Sequence, residues 1–218
     1  MKTDSQIQKD VIEELKWDPS VTHEYIGVAV KDGVVTLTGA VPSYFEKSAA
    51  ERAAQRVAGV RAIAEEIEVK YPSCYRRDDG DIADSILLAF RWNVQIPDDK
   101  LHVKVAKGWV TLSGEVEWDF QRAAAENAVK PLSGVLGVTN LIGVKPRIEA
   151  SDVKTKIEQA LKRAAEREAR RIKVEVKGTE VTLSGKVRSY AELHDARGAA
   201  WSAPGVSTVQ DHLVISAA

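Results

Sequence analysis

Three near-identical heptapeptides, VTLTGAV (Val35–Val41), VTLSGEV (Val110–Val116) and VTLSGKV (Val181–Val187), recur 75 and then 71 residues apart. The register holds well beyond them without a gap. Ile7, Ile82 and Val153 correspond, as do Val11, Ile86 and Ile157, then Ile26, Leu101 and Ile172, and Gly59, Gly134 and Gly205. The four residues separating the two offsets fall between units, because Val69 to Ile82 is 13 steps and Val144 to Val153 only 9. Units of equal length on links of unequal length are tandem copies of one small domain. We place the copies at 1–70, 81–146 and 147–218, with 71–80 as a linker. A domain of about 70 residues buries only about 60% of the surface its unfolded chain exposes, so packing between modules is expected to add stability.

In the first copy Ile7, Val11, Ile12 and Leu15 form one apolar stripe at helical spacing, with Asp4 or Ser5 available as N-cap. Ile26, Val28 and Val30, then Val35 and Leu37, alternate with small or polar residues on either side of Asp32-Gly33. That is the pattern of a β-hairpin whose turn accepts positive φ. The second copy has Lys107-Gly108 there, and the third moves its glycine to Gly178. Ser43-Tyr-Phe-Glu46 reads as a capping box heading a second helix, with Phe45, Ala49, Ala53 and Val57 as the buried stripe; Ser189-Tyr-Ala-Glu192 repeats it. Gly59-Val60 ends that helix, and Ile63, Ile67 and Val69 supply a third strand. The expected fold is α+β: three tandem αββαβ two-layer modules, with helices over one sheet face and strand order left open. Trp118 stands where the capping serine should be in the second copy, which makes Asp119 the expected cap. Trp17 and Trp92 sit at equivalent ends of the first helices, and parity marks them as structural.

Charge is high and balanced, 31 basic against 32 acidic residues, which does not fit a dedicated nucleic-acid binder. It is uneven along the chain: nine basic residues face twelve acidic ones in 1–70, but thirteen face ten in 147–218. The single cysteine, Cys74, excludes an intrachain disulfide. The N-terminal MKTDSQIQKDVIEEL has no apolar run ahead of its helix, and no segment approaches the roughly 20 apolar residues that span a bilayer. The expectation is a cytoplasmic protein, peripheral to membranes at most.

An αββαβ unit carrying V-x-L-x-G-x-V, an alanine-spaced helix, Gly-Val and a final strand resembles the BON domain family, and the resemblance covers almost the whole chain in three copies. It implies a non-catalytic binding module. Members of that family are implicated in binding phospholipid membranes, often in envelope stress, and one cytoplasmic member joined to a LysM domain binds potassium. The leading expectation is therefore docking on anionic phospholipid or an envelope-associated protein partner under osmotic or general stress. The alternatives are a potassium sensor holding the ion through backbone carbonyls, and a scaffold or chaperone-like adaptor. The resemblance carries over no catalytic residue, and it implies no cofactor unless potassium is one.

The residues agree. His23, His102, His194 and His212 are non-equivalent in the repeats and form no metal-ligand spacing, so no metal site is expected. His194-Asp195 and Asp211-His212 could meet in the third module, but no spacing demands it. No nucleophile elbow, P-loop or dinucleotide fingerprint is present. Asp78-Asp79-Gly80-Asp81 lacks the alternating ligands and terminal Glu of a calcium loop and reads as linker and helix cap. With an acidic first copy and no aromatic–basic platform, nucleic acid is not an expected partner.

Comparing equivalent positions says more. The solvent side of the second helix carries Lys47, Glu51, Ala54 and Gln55 in module 1, and Arg122, Glu126, Val129 and Lys130 in module 2. In module 3 it carries Leu193, Arg197, Ala200 and Trp201, an apolar face with one arginine. Such a face marks an interface, either with another module or a second chain, or with a membrane, whose interfacial zone favours Trp. The first helix of module 3 is basic: Lys154, Lys156, Lys162, Arg163, Arg167, Arg170 and Arg171 outnumber Glu158, Glu166 and Glu168. It reads either as a solvated, salt-bridged helix or as the footprint of an anionic surface, with Arg163, Arg167, Arg170 and Arg171 as contact residues. At about 1 kcal/mol per cation, the module's excess of three gives about 3 kcal/mol, short of the roughly 4 kcal/mol of millimolar binding. Charge alone therefore cannot hold the protein on lipid; insertion of Leu193 and Trp201, or oligomerisation, is needed. Trp109 and Leu141 fall on the helix-free sheet face of module 2, opposite in character to the small-residue face of module 1 (Gly27, Ala29, Thr36, Ala62, Ala64). Val34 shares that face of module 1, and the contrast points to packing between the two sheets in preference to ligand binding.

Overall fold

The computed structural model describes residues 2–71, 77–146, 157, 159 and 172–216. Each module is built in the same order. Module 1 has α1 (Asp4–Trp17), β1 (Ile26–Lys31), β2 (Val34–Val41), α2 (Tyr44–Arg56) and β3 (Ala62–Val69). Module 2 has α3 (Asp79–Trp92), β4 (Leu101–Ala106), β5 (Trp109–Val116), α4 (Asp119–Val129) and β6 (Gly137–Val144). Module 3 shows β7 (Ile172–Lys177), β8 (Glu180–Val187), α5 (Tyr190–Trp201) and β9 (Thr208–Ile215). Its first helix lies outside the described residues except for Ile157, which is fully buried, and Gln159.

The V-T-L-x-G-x-V strand is the centre of every sheet. β2 pairs antiparallel with β1 and parallel with β3, and β5 and β8 repeat that arrangement. The first strand can fold back through a two-residue turn, whereas the parallel third strand must be reached through a helix, which is why α2 and its equivalents exist. Asp32 and Gly33 both have positive φ (53° and 75°), as do Lys107 and Gly108, so these turns are of the primed type that matches strand twist. Asp4 and Asp79 clamp them: each carboxylate accepts both turn amides, at 2.8 and 3.0 Å in module 1 and at 2.7 and 2.8 Å in module 2.

The motif glycine is required by contact as well as by conformation. Gly39 has φ 128° and Gly114 has 125°; a Cβ on Gly39 would sit 2.0 Å from the Tyr25 carbonyl oxygen, and one on Gly114 would sit 2.2 Å from that of Lys100.

Helix starts differ in detail from the sequence expectation. Thr3, not Asp4 or Ser5, caps α1, with Gln6 completing the box, which releases Asp4 to hold the turn. Ser43 and Ser189 cap as expected, accepting from the Glu46 and Glu192 amides at 3.2 Å. The reciprocal carboxylates reach elsewhere: Glu46 is buried and accepts from the Thr22 amide at 2.6 Å, and Glu192 accepts from the Arg188 amide at 2.6 Å. Trp118 itself is the N-cap residue of α4. The Gln121 side chain accepts from the Trp118 amide, while Asp119 lies inside the helix and pairs with Arg122. Phe45 is exposed, contrary to its expected place in the buried stripe; Ala49, Ala53 and Val57 do face the core.

The modules pack on one another through their second helices. Tyr44, the first residue of α2, packs on the core of module 2. Tyr190 holds the equivalent position in α5 and packs on the core of module 1, donating from its hydroxyl to the Arg61 carbonyl at 3.1 Å. The same helix position thus carries the contact of module 3 on module 1 and of module 1 on module 2. Modules 2 and 3 meet through a different pair: Arg122 of α4 lies 4.5 Å from the Trp201 ring centroid of α5. Each module therefore touches both of the others.

Candidate docking surfaces

The face built by Leu193, Arg197 and Trp201 is largely claimed by contacts between modules. Trp201 packs on the cores of both module 2 and module 3, with the Arg122 guanidinium over its ring. Leu193 is half-buried on α5, the helix that packs against α2. Arg197 remains exposed and faces Asp211 of β9 at 3.8 Å. Of the two readings of this face, the contact between modules is the one the structure shows. Arg163, Arg167, Arg170 and Arg171 lie outside the described residues, as does Cys74.

The junction between modules 1 and 2 is polar and partly dehydrated. Burial pushes the Tyr44 phenol up from its ordinary value; the Val138 amide opposes this, while Glu126, Glu65 and Glu51 reinforce it. Burial likewise raises the Glu65 carboxyl, against the pull of Lys47, whose ammonium lies 3.7 Å away. Glu126 also suffers burial, but hydrogen bonds from Lys130 and Asn140 win and hold its carboxyl below the usual range. The same two repeat positions thus latch helix to third strand with different chemistry: Glu126 with Asn140 in module 2, and Arg197 with Asp211 in module 3.

Trp109 and Leu141 occupy the helix-free face of module 2, as their alternation requires, but no sheet covers them. They are 51% and 62% exposed. This corrects the expected packing against module 1: the modules meet through residues of their second helices, and the face of Trp109 and Leu141 stays open. Trp109 is held in place within its own sheet. Its indole N–H donates to Thr139 Oγ1 at 2.8 Å, and its ring lies across Gly137, where a Cβ would come within 2.5 Å of it.

The most apolar exposed surface is one that comparison of second helices overlooks. On α3, Ile82, Ile86 and Phe90 face the core, while Leu87, Leu88 and Trp92 point outward beside exposed Val94, which follows the helix. Leu87 and Leu88 are 50% and 55% exposed and Trp92 is 80% exposed. The equivalent α1 positions hold Ile12, Glu13 and Trp17, and Trp17 is 84% exposed. Parity had marked Trp17 and Trp92 as structural; their exposure overturns that reading. The signal available in the sequence was S-I-L-L-A-F, which adds two leucines beyond the three core positions.

Among the described residues, no group of His, Cys, Asp and Glu could hold a metal ion, and no helix is long and apolar enough to cross a membrane.

A model of the BON domain matches residues 3–71, 78–146 and 149–217. The chain belongs to the BON domain family. Among curated proteins it is similar to osmotically-inducible protein Y of Escherichia coli (strain K12), at 34% identity over 147 residues, covering 62% of this chain and 72% of that protein. Among solved structures it matches CdsD, a structural protein of the type III secretion system of Chlamydia trachomatis, at 14% identity and TM-score 0.25, over 96% of this chain and 92% of that one. The C-terminal domain of CdsD matches at 12% identity and TM-score 0.26, over 99% and 100%. Scores this low support no functional argument.

Proposed function

We propose that this BON protein is a non-catalytic, stress-associated module that docks on anionic phospholipid surfaces, with α3 of module 2 as its contact. The observation that carries the reading is the exposed apolar face of Leu87, Leu88, Trp92 and Val94, with Arg91 among them. Contiguous apolar surface on a protein with no other use for it marks an interface, and Trp beside a cation suits the boundary between lipid headgroup and acyl chain. Magnitudes favour this helix over charge alone. Full burial of a large apolar side chain yields about 1.5–3 kcal/mol, so half-exposed Leu87 and Leu88 with nearly free Trp92 supply about 4 kcal/mol. Added to roughly 1 kcal/mol from Arg91, that gives binding of about two hundred micromolar. The stress association rests on likeness to a protein named for osmotic induction.

Flotation with anionic and with purely zwitterionic vesicles tests the reading. Binding confined to anionic vesicles and lost in a Leu87→Ser, Leu88→Ser double variant supports it. Absence of binding, or binding indifferent to both lipid charge and the double variant, defeats it.

A further inference from the structure

Where module 1 hands over to module 2, a cleft of about 590 Å³ lies between the end of β3 and the β4–β5 turn. We propose that it binds a small soluble phosphate ester, with the phosphate among Lys70, Arg77 and Lys107 and the organic part against Val69, Tyr71 and Leu136. Sites for small ligands have volumes of about 300–1,000 Å³, and this cleft falls among them. It lies at the start of α3, whereas the lipid contact proposed above lies at that helix's end. The two modules are joined across it, since the Tyr71 hydroxyl donates to the Val135 carbonyl at 2.7 Å. Bare backbone lines it at Gly108 and Gly134, and the stem of Arg77 packs on the second of these: a Cβ on Gly134 would stand 3.1 Å from Arg77 Cβ.

Equivalent positions in module 1 show what is peculiar to this place. Lys2 holds the repeat position of Arg77 and pairs with Asp10 at 2.6 Å. Module 2 has Ser85 where Asp10 stands, and among the described residues Arg77 has no ion pair. Asp32 holds the position of Lys107, whose ammonium likewise has no ion pair among the described residues. Arg61 holds that of Leu136 and covers its own turn, where a Cβ on Gly33 would meet Arg61 Cδ at 2.9 Å. Lys70 pairs with exposed Glu68 at 2.8 Å, and surface pairs of this kind are weak enough to exchange for a ligand. Asp79, the carboxylate in the lining, is spent on the Lys107 and Gly108 amides at 2.7 and 2.8 Å. Three cations beside one engaged carboxylate attract an anion and repel potassium. A guanidinium fork with two ammonium groups suits the oxygens of a phosphate, and the apolar wall favours an ester over the bare ion.

Isothermal titration of the full chain with phenyl phosphate and with inorganic phosphate tests the proposal. Phenyl phosphate should bind at one site per chain, and more tightly than inorganic phosphate. Lys107→Asn, which suits the positive φ of that position, and Arg77→Gln should each weaken it about fivefold, and the double variant roughly twentyfold. Lys104→Gln, a charge removed from the exposed strand β4, should change nothing. No heat from either probe, or binding indifferent to both substitutions, overturns the proposal. Vesicle flotation of the double variant separates a soluble ester from a lipid headgroup: it should equal that of wild type, and its loss would give these cations to the membrane and overturn the proposal. Circular dichroism of each variant controls for folding, which substitution of side chains this exposed is not expected to disturb.

Discussion

Two helices carry apolar residues where an isolated module would show only solvent-facing side chains: α5 of module 3 and α3 of module 2. The first presents Leu193 and Trp201, the second Leu87, Leu88 and Trp92. Within one module they look alike. In the folded chain they separate, because α5 packs on neighbouring modules while Leu87, Leu88 and Trp92 of α3 stay exposed. Trp201 is taken up between two cores with Arg122 over it, while Trp92 stays 80% exposed. A helical wheel drawn for a repeat therefore identifies stickiness but not its purpose; that depends on which layer of the assembly the helix occupies.

The sharpest way to break this contrast is Trp201→Ala. Losing a half-buried indole and its cation contact should cost about 2–3 kcal/mol, read as a lower Tm by calorimetry, and leave vesicle flotation unchanged. Equal stability to wild type would mean that the contact between modules 2 and 3 is idle. Tyr190→Phe removes only the hydroxyl that donates to Arg61 and should cost about 1 kcal/mol in urea unfolding. The α3 double variant Leu87→Ser, Leu88→Ser should do the reverse of Trp201→Ala, moving stability by less than about 0.5 kcal/mol while abolishing flotation.

The smallest effect is a pH dependence. Burial, set against Lys47, raises the Glu65 carboxyl. A raised carboxyl in the folded state means that protonation favours folding: the cost of the charge is absent below the unfolded pKa and present in full above the folded one. Glu65→Gln should therefore be slightly more stable than wild type at neutral pH and lose that advantage by roughly pH 4. An advantage that grows on acidification would reverse the assignment.

Much of the fold was legible because the chain states it three times. Register alone located the hairpin turns, the second-helix caps at Ser43 and Ser189 and the central strand, since each depends on local chemistry. What escaped depended on neighbours distant in sequence. Phe45 reads as core by spacing, yet Glu46 takes the inward position because the Thr22 amide is there to meet it. Asp4 reads as a cap, yet two amides of the Asp32-Gly33 turn, 28 and 29 residues on, claim its carboxylate. The tyrosines at 44 and 190 were visible as a repeat within the capping motif, but the neighbouring core each packs on was not. The candidate site was least legible, because exposure is a property of the assembled surface; Leu87 and Leu88 differ from core leucines only in what fails to cover them.

The crossing of Gly39 and Gly114 over a backbone carbonyl has a bearing on engineering. A fourth unit grafted onto this array could be repainted at every outward position, with new charges, aromatics or handles. It would still have to carry glycine at this one point, because there the neighbouring strand leaves no volume for a single methyl group.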